Sequence, residues 1–141
     1  MDKKEIIDDP LTYKIIGCAQ RVHCYLGNGF QEVIYQRALA IEFGKINLNY
    51  QRELEMPIFY DDEKIGTRRV DFLIEEKISA EIKAIKNLED DELCQAVNYL
   101  EAYNLEIGLL INFGSKSLQF KRLVNPKFKE TKKSVKSIKS I

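Results

Sequence analysis

Apolar and polar positions along the chain fall into two periods. From Pro10 to about Leu26, the residues Ile15, Ala19, Val22 and Leu26 recur at i, i+4, i+7 and i+11, which is one face of an α-helix. Asp9-Pro10 reads as an N-cap followed by a first-turn proline, and Gly27-Asn28-Gly29 breaks the helix. A second helix is expected from about Phe30 to Phe43, with Ile34, Ala38 and Ile41 on one face and Gly44 at its end. The period then changes to two. Tyr50–Tyr60, with Arg52, Leu54, Met56 and Ile58 on one side, reads as a strand, and Pro57 marks a sheet edge. Asp61–Lys64 is a turn, and Ile65–Ile74 and Ile78–Ile85 are two further strands joined around Glu76. Asn87, with Asp90 three residues on, starts a third helix over about Leu88–Tyr103 whose buried stripe is Leu93, Ala96, Val97 and Leu100. Ile107–Asn112 is almost wholly apolar, as expected for a strand covered on both faces. Gly114 turns the chain into a last strand, Leu118–Val124, and Asn125-Pro126 closes the domain.

The order α-α-β-β-β-α-β-β defines an α/β domain with helices packed on a sheet. A helix between the third and fourth strands implies a right-handed parallel crossover, hence a mixed sheet. The length of 141 residues suits one domain, taken as residues 1–125, with 126–141 as a basic, flexible tail. Equal numbers of basic and acidic residues, 22 each, hide an asymmetry. From Ser115 onward nine Lys/Arg face the single acid Glu130, so that end carries +8 and residues 1–114 carry −8. An acidic body suits divalent cations, and a basic tail suits a polyanion. No apolar run reaches the ~18–20 residues of a membrane span, and the charged N-terminus does not read as a secretory signal. Cys18, Cys24 and Cys94 form no CxxC, which argues against a disulfide framework or zinc knuckle and makes the cytoplasm the expected setting. Cys94 is expected to be buried.

Candidate chemistry lies in RRVDFLIEEKISAEIKAI. Strict alternation puts Arg69, Asp71 and Leu73 on one face of the second strand and Val70, Phe72 and Ile74 on the other; Ser79, Glu81 and Lys83 share a face of the third. If the hairpin is symmetric about Glu76, Asp71 lies opposite Glu81, where cross-strand Cβ atoms are about 4.5–5.5 Å apart. Two carboxylates so close repel unless a divalent cation joins them, and Lys83, one pleat along, would hold a water or phosphate oxygen beside it. The alternative is a surface face of ordinary ion pairs. Glu32 and Tyr35 (i, i+3) and Gln95 and Tyr99 (i, i+4) are pairs that serve equally as polar edges of a core. The lone His23 flanks the first helix's apolar stripe and reads as a hydrogen-bonded packing residue or, less simply, a metal ligand.

Taken together, GFQEVIY (Gly29, Glu32, Tyr35), LTYKIIGCAQRVH, RRVDFLI, AEIKAI, QAVNYL and GLLINFG, spread from about Leu11 to Val124, resemble the GxxExxY protein family, placed in the PD-(D/E)XK nuclease-like superfamily. The resemblance implies the restriction-endonuclease-like mixed sheet, core order α-β-β-β-α-β, here with an extra N-terminal helix and a C-terminal strand. Asp71 matches the first acidic position of the superfamily motif, and Glu81 and Lys83 its E-x-K. Glu32 matches an acid supplied by the preceding helix, and Gln95 and Tyr99 the Gln-x-x-x-Tyr of the following one. Val70 stands where the name-giving proline would be.

The implied activity is hydrolysis of nucleic-acid phosphodiester bonds, in DNA or RNA. Asp71, Glu81 and Glu32 would hold Mg²⁺, or Mn²⁺ in its place, through hard oxygens. The metal would acidify a water and neutralise transition-state charge. Lys83 would orient that water, and Gln95 and Tyr99 would position the strand or the water. Arg69 is weighed as a phosphate contact against a surface ion pair. The competing expectation is a catalytically silent module that keeps the fold and binds nucleic acid or a protein. A protein partner or a homodimer fits the small size, and no membrane association is expected.

Overall fold

The computed structural model describes residues 9–130. Helix α1 spans Pro10–Leu26, α2 Glu32–Lys45 and α3 Asp90–Tyr103; the strands are β1 Tyr50–Tyr60, β2 Glu63–Ile74, β3 Ile78–Lys83, β4 Ile107–Asn112 and β5 Gln119–Val124. One five-stranded sheet has the order β1-β2-β3-β4-β5. The β1–β2, β2–β3 and β4–β5 pairs are antiparallel and β3–β4 is parallel, the α3 crossover supplying the change of direction. Pro57 does lie in an edge strand, where a residue without an N–H is tolerated.

α1 begins where the Asp9-Pro10 pattern places it. The Asp9 carboxylate accepts from Thr12 N at 3.3 Å and is fastened to β5 by Arg122 Nη2 at 3.2 Å. α2 departs from the expected face. Its buried residues are Tyr35, Gln36, Leu39 and Phe43, whereas Ile41 is 63% exposed. The reason is Tyr35, whose hydroxyl donates to Gly27 O (2.6 Å) and accepts from Phe30 N (3.1 Å) while its ring stacks on Phe113 at 4.6 Å. This latch closes the Gly27–Gly29 loop and sets the rotation of the helix. At α3, Asn87 is not the cap. Glu89 holds that position without a side-chain hydrogen bond, and Asn87 Oδ1 instead accepts from Gln119 Nε2 at 3.3 Å.

The sheet separates two apolar clusters. Ile15, Ala19 and Val22 of α1 and Leu39 and Phe43 of α2 pack on Phe72, Ile74, Ala80, Ile82 and Ile111. On the other face Leu100 and Tyr103 of α3 meet Met56, Val70 and Leu73. Val70 and Leu73 therefore share a face and Phe72 lies opposite, which strict alternation along β2 forbids. The break has a cause. Glu53 adopts φ 56°, and the β1–β2 ladder runs Arg52↔Phe72 and then Leu54↔Val70, leaving out Glu53 and Asp71. Beyond that point the ribbon is turned over. Arg52 donates to Gln36 on α2 while Leu54, Met56 and Ile58 face α3, so the four do not share one side. Cys94, expected in the core, is exposed because the α3 face that carries it turns to solvent.

Residues 126–130 continue along the α3–β4 loop, where Asn104 Nδ2 donates to Lys129 O (2.8 Å) and Lys129 N donates to Asn104 Oδ1 (3.0 Å). The remainder of the basic tail lies outside the described residues. No helix among the described residues is long and apolar enough to cross a membrane.

Burial acts to raise the pKa of Asp9, but its bonds to Thr12 and Arg122 outweigh that effect and hold it below the usual value of 3.8. Its contribution is thus present above pH 3.8 and lost as pH falls through the lower folded-state pKa. Asp9→Ala is expected to cost about 1 kcal/mol in urea unfolding at pH 7. The penalty should shrink as the medium is acidified below pH 3.8.

Candidate active site

β2 and β3 are paired only through Phe72↔Ala80, Leu73↔Ser79 and Ile74↔Ile78. These pairs keep the symmetry about Glu76, because Glu75 and Glu76 take left-handed conformations (φ 52° and 55°) that turn the chain without a glycine. At the next step the strands part. Instead of a backbone pair, the Asp71 carboxylate enters the gap, and its Oδ2 accepts from Ile82 N at 2.8 Å. Asp71 is thereby held at the apex of a cleft between the β1–β2 ribbon and the end of β3.

Glu81 is 8% exposed and its carboxyl group is within hydrogen-bonding reach of that of Asp71. Burial, and then the neighbouring Asp71, push its pKa from 4.5 up to about 8, with Arg68 and Lys83 opposing. Lys83, half-buried at the end of β3, interacts electrostatically with both Glu81 and Glu32. Glu32, in the first turn of α2, is exposed; partial burial and Asp71 raise its pKa, and Lys83 lowers it. The structure therefore brings Asp71, Glu81 and Lys83 together and sets Glu32 at the rim. Among the described residues, no three His, Cys, Asp or Glu are gathered as a ready metal-ligand group. The donors that do meet are hard carboxylate oxygens whose mutual repulsion Arg68 and Lys83 only partly offset, and this pair fits a hard dication.

On α3, Tyr99 lies under the guanidinium of Arg68, with Cζ 4.1 Å from the ring centroid, while Gln95, one turn earlier, is exposed. Arg68 Nη2 lies 3.6 Å from Glu81 Oε2. Arg69 instead meets Glu53 at 4.0 Å, as a surface ion pair. His23 is committed to packing. Its Nε2–H donates to Ser115 O at 2.9 Å and its ring lies 6.2 Å from that of Phe113.

Sequence reasoning missed two residues. Arg68 reaches the Glu81 side only because the ribbon is turned over at Glu53. Asn112, fully buried at the end of β4, accepts from Ile85 N (2.9 Å) and donates to Ile85 O (2.9 Å), extending the β3–β4 pairing by a side chain just beyond Lys83. A polar residue closing an apolar strand was the available signal. Gly114 follows at a close approach, where a Cβ would lie 2.2 Å from Ile85 O. A cavity of about 690 Å³ opens elsewhere, at the far end of the sheet beside Pro10, Ile78 and Ile107.

A five-stranded mixed sheet between helical layers, with carboxylates and an ammonium group meeting where two central strands part, is a nuclease-like α/β architecture. A family model of the PD-(D/E)XK nuclease superfamily matches residues 9–123, and the chain belongs to that superfamily. Among solved structures, the protein described as "Crystal structure of SSO0001" superposes with a TM-score of 0.52 at 18% identity, covering 76% of this chain. The match spans 55% of that protein's length, and it speaks for the fold alone. No curated protein sequence matches the chain.

Because folding raises the Glu81 pKa, the folded state takes up a proton, and stability falls as pH rises from 4.5 to about 8. In EDTA, Glu81→Gln is expected to remove that slope and to stabilise the fold at pH 7.5 by about 1–3 kcal/mol. Urea unfolding between pH 5 and 8 reads both effects; a parallel slope in the variant rejects this account of Glu81.

Proposed function

We propose that this chain is a metal-dependent nuclease of the GxxExxY kind that hydrolyses phosphodiester bonds in DNA or RNA. The observation that carries the reading is the Asp71–Glu81 carboxyl pair at the parting of β2 and β3, with Lys83 beside it. Asp71 and Glu81 would hold Mg²⁺ or Mn²⁺, with Glu32 approaching from α2 as a further oxygen donor. Such an ion supplies charge neutralisation at the scissile phosphate and acidifies a water. Lys83 orients the attacking water and donates to the oxygen on which charge develops. Asp71, fixed by Ile82 N–H, keeps the pair aligned while substrate enters along the cleft. Gln95, exposed on α3, and Tyr99, one turn further on beneath Arg68, would position the strand or the water. Cytoplasmic residence fits the cysteine usage.

One observation favours the alternative of a silent protein-binding module. The first turn of α3 carries Asp90, Asp91 and Glu92 directly after Glu89, within one turn of Gln95. That negative lip repels a polyanion and suits a basic partner.

Asp71→Ala should abolish calorimetric binding of Mg²⁺ and Mn²⁺; unchanged affinity discards the metal site. In a panel of DNA and RNA substrates with either ion, Lys83→Ala should retain dication binding but lose cleavage by about 10²-fold or more. Cleavage equal to wild type would assign the activity to a contaminant or to another site. Truncation after Glu130, which spares the Asn104–Lys129 bonds, removes Lys132, Lys133, Lys136 and Lys139. It should weaken oligonucleotide binding and flatten its salt dependence; an unaltered slope means that the tail does not touch the nucleic acid.

A further inference from the structure

Arg68 is a charged residue of the cleft that holds a buried donor without a partner. A guanidinium carries five N–H donors in a planar fork. Here Nε is buried with no hydrogen-bond partner, and Nη2 meets Glu81 Oε2 only at 3.6 Å, beyond hydrogen-bonding distance. Among the described residues no side-chain hydrogen bond is made by Arg68. The side chain nevertheless has a defined seat, its Cζ 4.1 Å above the Tyr99 ring, and it remains 30% exposed to the cleft. A buried donor left unpaired destabilises the fold unless something satisfies it. The neighbouring Arg69 differs in each respect: its side chain is 60% exposed and it pairs with Glu53 on the outside of the ribbon.

We propose that Arg68 grips a phosphodiester of the nucleic acid, donating its fork to a non-bridging phosphate oxygen beside the Asp71–Glu81 pair, and that Tyr99 is a positioning residue which acts by holding the guanidinium plane. This rests on the nuclease reading and assigns the phosphate contact within that site. Three physical features support it. The planar fork matches two phosphate oxygens as an ammonium group cannot. The cation–π seat fixes the fork without using any of its donors. The β1–β2 ribbon is turned over at Glu53, and this delivers Arg68 to the face that carries Glu81, one residue away from the solvent-facing Arg69. A carboxylate partner alone would draw the fork into a shorter, bidentate contact. At 3.6 Å Glu81 steers the guanidinium but leaves its donors for a ligand.

The test is fluorescence anisotropy of a labelled oligonucleotide, single-stranded and duplex, in Ca²⁺ at several salt concentrations, with the wild type, Arg68→Met, Arg68→Lys and Tyr99→Leu. Arg68→Met keeps an apolar stem over the ring and is expected to weaken binding about tenfold and to reduce the salt slope by about 0.7–0.9. Arg68→Lys should restore the slope but not the affinity, and Tyr99→Leu should lose affinity with the slope retained. Calorimetric dication affinity should not fall in Arg68→Met, because Arg68 contributes no oxygen. If Arg68 is only a strut under α3, Arg68→Met lowers Tm while affinity per folded molecule and salt slope stay at wild-type values, which overturns the proposal. A parallel fall in dication affinity overturns it too, since Arg68 would then act through the placement of Glu81. A wild-type chain that binds no oligonucleotide removes the nuclease reading itself, whereas wild-type binding unaffected by Arg68→Met removes the phosphate assignment alone.

Discussion

The hydrogen bond from Ile82 N to Asp71 Oδ2, 2.8 Å long, stands where the β2–β3 ladder would have continued. A backbone donor inside a sheet must be satisfied, and here a side chain satisfies it. That substitution allows the strands to part without an orphaned N–H, and it also fixes one carboxylate at the point where they part. Every other feature of the site follows from this parting. Glu81 is the next residue toward the turn on β3, Lys83 the next outward pleat, and the β1–β2 ribbon is left free to swing away and form one wall of a cleft.

Placing Glu81 beside Asp71 costs stability, because two carboxyl groups in a largely buried setting cannot both ionise cheaply. Arg68 and Lys83 offset part of the cost. A fold selected for stability alone would put an amide or an apolar residue at position 81. The retained pair is the kind of local conflict between sequence and fold that concentrates at functional positions. It makes Glu81 more informative than any of the better-satisfied acids, such as Asp9, whose partners Thr12 and Arg122 leave nothing unmet.

Much of this was legible in the sequence, and the exceptions have a common cause. The bounds of α1, β1 and β4 follow from period and capping alone, and the hairpin symmetry about Glu76 gives the true register. The faces of β1 and β2 could not be read, because the left-handed Glu53 carries no mark that a glycine would have left. One such residue inverts the assignment of everything beyond it, which puts Arg68 rather than Arg69 beside Glu81. The α2 face is set by a contact that hydropathy does not register, because Tyr35 is buried by its hydroxyl bonds as much as by its ring while Ile41 stays exposed. That Asp71, Glu81 and Lys83 come together was legible because all three lie on one hairpin. Asn112 was not, since its partner Ile85 is 27 residues away and the pairing depends on tertiary structure.

Asn112 explains how the lysine is kept in place at the free end of a strand. β3 ends at Lys83, whose carbonyl accepts from Phe113 N at 2.8 Å, and a strand that ended there would fray. Instead the Asn112 amide grips both backbone groups of Ile85, while its Oδ1 also accepts from Gly114 N and its Nδ2 also donates to Gln119 Oε1. Ser115 Oγ donates to Lys86 O, so the segment after Lys83 is held at successive points. The close passage of Gly114 over Ile85 is what lets the amide reach. On one side of the cleft, then, Lys83 is anchored by the buried Asn112 amide of β4 and by Gln119 of β5, and on the other Asp71 is anchored by β3 itself. The separation between ammonium and carboxylate is therefore set by the sheet rather than by loops, which is the condition for a site whose electrostatics are preorganised before any ligand arrives.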